Sequence, residues 1–91
     1  MIKLAGTWKN LETGELIKLN GPNNGDNFLL EFDFQNGQFQ RSEIVQIFIG
    51  GKNDAILEKS EKFQNKNIEF ISDNSIRISG ILFSKTTLPK Y

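Results

Sequence analysis

FLLEFDFQNGQF, from Phe28 to Phe39, is the stretch on which the fold turns. Successive side chains of a strand point to opposite sides, so Phe28, Leu30, Phe32 and Phe34 share one face while Glu31 and Asp33 share the other. The pattern predicts a strand with one buried and one wet side. Asn36-Gly37 suits a two-residue type I′ turn, whose two central positions both need positive φ. With that turn in place, Phe34 meets Phe39 across a hairpin, and the ring contact helps to fix its register.

Outward from this hairpin, apolar and polar residues alternate in further short blocks, and no stretch of a dozen residues keeps a helical period. ETGE, residues 12–15, separates the first two strands. NGPNNGDN, residues 20–27, reads as a broad loop, because its glycine, proline and asparagines supply φ values that strands do not. EIVQIFIGGKND reads as a strand stopped at Gly50-Gly51, and its near-continuous apolar run is expected to be buried on both faces or to form the edge of an interface. ISDNSIRIS predicts a hairpin over Asp73-Asn74 that sets Ile71 opposite Ile76. Gly80, inside SIRISGILFSK, marks a bulge or a sharp corner where a strand curls into a barrel. DAILEKSEKFQNK, residues 54–66, fits a strand carrying Ile56, or a short helix N-capped by Asp54 with Ala55, Ile56 and Phe63 turned inward; a strand through Ser60 is preferred. The expectation is an all-β chain forming a small antiparallel meander β-barrel of six to eight short strands, one domain over its 91 residues.

Composition removes several classes of function. Eleven Lys and Arg balance eleven Asp and Glu, so no net field draws the chain to nucleic acid or an anionic membrane. There is no cysteine and no histidine, which removes thiolate nucleophiles, sulfur metal sites and the commonest general base and neutral metal ligand. Without histidine, Thr7, Ser42, Ser60 and Ser84 have no such base to activate them, and no phosphate-binding or dinucleotide motif is present. NNGDN, residues 23–27, lacks the carboxylates and the closing Glu of a calcium loop. Glu31 with Asp33, and Glu58 with Glu61, invite an acid–base reading, but alternation puts the first pair on a wet face and lysines surround the second. No enzymatic activity, metal or cofactor is expected. No segment has the length of a signal peptide's apolar region or of a membrane span. The expected compartment is the cytoplasm as the chain is written, or the periplasm, including as a lipoprotein, if a leader has been removed.

The only tryptophan sits in LAGTWKN, residues 4–10. Gly6-Thr7-Trp8 on the first strand of a β meander resembles the opening of lipocalin-like, or calycin, barrels, and the closing ISGILFSKTT resembles the last strand of small bacterial lipocalin-like domains. The resemblance implies that Trp8, with Gly6, plugs the base of the barrel. It also implies that a basic residue of the last strand, Lys85 or failing that Arg77, covers the indole; such a contact is worth roughly 0.5–1 kcal/mol. The resemblance extends weakly towards avidins, but a biotin site needs several tryptophans and this chain has one.

Two functions follow as expectations. In the first, the barrel mouth holds a small apolar or amphipathic ligand against a wall of Phe28, Phe32, Phe34, Phe39, Phe48 and Phe70, with Phe83 nearby and residues 20–27 as the rim; the same rings also suffice to fill so small a barrel with no cavity left. In the second, the chain is a protein–protein module or homo-oligomer acting through an exposed strand edge or through IVQIFIG, residues 44–50.

Overall fold

The computed structural model describes residues 4–87, so Met1 to Lys3, included above in the search for a leader, lie outside them. Eight strands follow one another: β1 (Gly6–Asn10), β2 (Leu16–Asn23), β3 (Asn27–Gln35), β4 (Gln38–Ile49), β5 (Asp54–Glu58), β6 (Asn67–Ser72), β7 (Ser75–Ile78) and β8 (Ile81–Thr86). Each pairs antiparallel with the next, and β8 returns to β1 through Trp8↔Lys85 and Asn10↔Phe83, so the meander closes into a barrel. Among the described residues there is no helix, and none therefore long and apolar enough to cross a membrane.

The alternation read from Phe28–Phe39 builds this barrel. Phe28, Leu30 and Phe32 point inward, as do Trp8, Ile17, Leu19, Val45, Ile47, Ala55, Leu57, Ile68, Ile76, Ile78 and Phe83; with Leu4, Phe63 and Phe70 they form one buried apolar cluster. Asn36 (φ 53°) and Gly37 (φ 82°) make the two-residue turn, and the Phe34 and Phe39 rings meet edge to face at 5.0 Å. Both rings stay half-buried near the hairpin tip, because the hairpin runs past the barrel. The β2 ladder reaches β3 only to Glu31 and the β5 ladder reaches β4 only to Gln46, so beyond those points β3 and β4 pair with each other alone.

Four sequence readings are corrected. Residues 20–27 are not one broad loop: β2 continues, with a register irregularity, to Asn23, and Asn24 (φ 49°) with Gly25 (φ 91°) makes a short turn. Ile76 pairs with Phe70 rather than Ile71, since an irregularity between Phe70 and Ser72 turns Ile71 outward. Gly80 is neither bulge nor corner; Ser79 (φ 53°) and Gly80 (φ 80°) form a tight turn that joins Ile78 to Ile81. The strand after Asp54 stops at Glu58 instead of Ser60, because Lys59 adopts positive φ (65°) and breaks the extended run.

Candidate functional site

Meander order gives the barrel two ends. The starts of β1, β3, β5 and β7 lie at one, with Leu4 and the connections at 24–26, 50–53 and 73–74; the other holds the 11–15, 36–37, 59–66 and 79–80 connections.

The Leu4 end is sealed. Trp8 is fully buried and its indole N–H donates to the Leu4 carbonyl at 3.0 Å. Lys85, the cross-strand partner of Trp8, carries its Nζ to 5.3 Å from the indole centroid. The Lys85 chain passes so close to Gly6 that a Cβ there would stand 3.0 Å from its Cε, so this position takes no side chain without a shift. Arg77 instead pairs with Glu69 on the outer surface, at 3.2 Å.

The hairpin end is open and charged. Beside the projecting hairpin lies a cleft of about 510 Å³, lined by Glu15, Phe32, Asp33, Arg41, Ser42, Glu43, Glu61 and Lys62. The floor is Phe32, with the Arg41 guanidinium 5.0 Å and the Lys62 Nζ 4.8 Å from its ring centroid. The two cations differ in state. Lys62 is neutralised by Glu15, its Nζ 2.6 Å from Oε2. Arg41 is exposed and forms no ion pair with any described residue, so its guanidinium lies over the ring open to solvent.

Glu43 explains how the cleft keeps its shape. Val45 and Ile47 point inward, so Glu43, two residues earlier, faces the same way just where the barrel wall ends. Its carboxylate accepts hydrogen bonds from the Ser60 hydroxyl (2.7 Å) and from the Glu61 (2.9 Å) and Lys62 (3.2 Å) backbone N–H groups. One side chain thus pins the 59–66 connection across the barrel end and seats Phe63 in the core, where it meets Phe83 edge to face at 6.0 Å. Burial alone would raise the Glu43 pKa; the hydrogen bonds from Glu61, Ser60 and Lys62, with the Lys62 charge, more than offset that and hold it below its ordinary value.

A lowered folded-state pKa stabilises the protein fully above the unfolded value of ~4.3 and loses that contribution as pH falls through the folded value. Thermal melts of wild type and Glu43→Gln therefore differ most at neutral pH, where the variant is less stable by about 1–2 kcal/mol, and converge towards pH 3. A variant as stable as wild type at pH 7 would show that Glu43 does not hold the segment.

The predicted ligand wall is dispersed. Phe32 lines the cleft. Phe34 and Phe39 pack on each other nearer the hairpin tip. Phe28 and Phe70 are buried at the Leu4 end. Phe48 is outside the barrel, 40% exposed, because β4 turns Val45 and Ile47 inward and the alternate residues Ile44, Gln46 and Phe48 outward. The rim role proposed for residues 20–27 fails too, since they lie at the end opposite the cleft. Of the carboxylates weighed for acid–base work, Asp33 and Glu61 line the cleft, while Glu31 accepts from Asn20 and Glu58 pairs with Lys66. Reasoning from sequence missed Arg41, Glu43 and Lys62. The first two were within reach: counting outward from the Asn36-Gly37 turn puts Arg41 opposite Phe32 and Glu43 opposite Leu30.

Compared with models of known protein families, with curated proteins and with solved structures, the chain has no match.

Proposed function

We propose that this chain is a non-catalytic binding protein whose ligand, a small amphipathic molecule with an anionic group, occupies the cleft between the β3–β4 hairpin and the 59–66 connection. The observation that carries the reading is Arg41. Its guanidinium lies over Phe32 and lacks an anionic partner among the described residues, so in a cleft that also carries the carboxylates of Glu15, Asp33, Glu43 and Glu61 it is the cation left to receive a carboxylate or phosphate. The volume of about 510 Å³ falls within the range of small-molecule pockets. The buried column from Trp8 to Phe83 fills the barrel with side chains, which argues for binding at the end of the barrel rather than along its axis. The likeness to lipocalin-like barrels, in Gly6-Thr7-Trp8 and in Lys85 against the indole, supports a binding role over a catalytic one.

Native mass spectrometry of the protein as purified from cells tests this, with denaturing extraction of whatever is released. The expected result is an anionic amphiphile at one per chain, its occupancy reduced at least tenfold in Arg41→Gln. An equal occupancy in the variant, or a bare protein that binds no alkyl carboxylate or alkyl phosphate, would refute it.

A further inference from the structure

On the opposite side of the β4 wall, the barrel's outer surface is unusually apolar. Ile44 (68% exposed) and Phe48 (40%) on β4 and Ile56 (47%) on β5 all point outward. Phe48 and Ile56 are direct cross-strand partners, so their side chains form one exposed ridge. Apolar side chains scattered singly over a surface are ordinary, whereas large ones gathered on adjacent strands mark an interaction surface.

The ridge borders a shallow groove of about 390 Å³ running over β5 and β6 from the Gly50 turn to Glu69, with Ile56 and Asn67 along it. The groove carries an electrostatic anomaly. Asp54 and Glu69 are direct cross-strand partners, a like-charge pairing that destabilises a sheet. Arg77 relieves Glu69 at 3.2 Å, but Asp54 has no ion pair with any described residue. Its carboxylate folds back so tightly on the turn that a Cβ on Gly51 would stand 2.9 Å from Oδ1. Glu58, next along the same outward face of β5, adds a third acid, matched by Lys66 at 3.1 Å.

We infer that the outer face of β4–β6 is a second binding surface, separate from the cleft, that docks a protein segment presenting apolar side chains alternating with Lys or Arg. The Phe48–Ile56 ridge takes the apolar residues, and the segment's cation comes to Asp54 opposite Glu69. The repulsion accepted in the free protein is then removed in the complex, which makes charge complementarity the selective element. A second copy of this chain suits the surface less well, since the same acids would confront one another across a two-fold axis.

Fluorescence anisotropy with two labelled peptides tests this on the full chain: one alternates lysine and valine, the other glutamate and valine. The lysine peptide is expected to bind at least tenfold more tightly than the glutamate peptide. Asp54→Asn and Ile56→Thr should each weaken it at least fivefold, while Arg41→Gln in the cleft leaves it unchanged. Asp54→Asn should also raise Tm, by roughly 1–5 °C, as the like-charge pair is relieved, so its loss of binding cannot be ascribed to unfolding. Equal affinity for the two peptides, no binding of either, or lysine-peptide binding that survives both surface substitutions would each overturn the proposal.

Discussion

Trp8→Ala is expected to destabilise the protein by about 4–5 kcal/mol. Trp8 is the largest fully buried side chain in the core, and both its N–H and its ring are engaged. Its N–H donates to the Leu4 carbonyl, and Lys85 covers the indole. Alanine removes the apolar volume, opens a cavity that strands paired on both sides cannot collapse into, and orphans the Leu4 carbonyl. A domain of this size has a total stability on the order of 5–14 kcal/mol, so the loss consumes a large share of it. Trp8→Phe refills most of the space but supplies no donor, and should cost about 1–2 kcal/mol. Urea titration followed by far-ultraviolet circular dichroism measures both. A Trp8→Ala midpoint within about 1.5 kcal/mol of wild type would mean that the indole is not the plug of the Leu4 end.

Phe63→Ala is the second large effect, at about 3–4 kcal/mol. Among the described residues Phe63 is the one buried aromatic contributed by a connection instead of a strand, and it closes the core at the hairpin end against Phe83. Its backbone N–H is fixed by the Ser60 hydroxyl (3.1 Å), the same hydroxyl that donates to Glu43, so ring and latch form one unit. Losing the ring should loosen residues 59–66 before the barrel itself opens. Limited trypsin digestion would report this as early cleavage at Lys59 or Lys62 in the variant, with the wild type resistant at both. Unchanged digestion together with a stability loss under about 1 kcal/mol would show that the segment is not anchored through its ring.

What the sequence made legible follows from what is local. A strand's period of two and the geometry of an Asn-Gly turn are properties of a few neighbouring residues, so the β3–β4 hairpin, its Phe34–Phe39 pair and the inward face of Phe28, Leu30 and Phe32 could be read directly. The all-β meander followed from repeating that reading along the chain. The errors arose where one apolar pattern admits two registers. IVQIFIG has apolar residues of both parities, so alternation alone could not say that Val45 and Ile47 face inward and Phe48 outward. Ile71 was set opposite Ile76 by turn geometry, and an irregularity in β6 moved that partnership to Phe70. The candidate site was the least legible part, because it depends on height along the barrel axis. Phe28 and Phe32 share a face, yet they lie towards opposite ends. Lys62 and Ser60 reach the site through a 59–66 connection without regular structure, held by partners far away in sequence such as Glu43 and Glu15.

The most direct test of a cleft outside a filled barrel is a titration of the isotope-labelled protein with dodecanoate, followed by two-dimensional amide and indole NMR. Shifts confined to Phe32, Arg41, Ser42, Glu43 and the 60–62 backbone, with the Trp8 indole signal unmoved, are the predicted result. Shifts at the Trp8 indole and at inward residues such as Ile17, Val45 and Ile76 would place the ligand within the barrel and contradict the account.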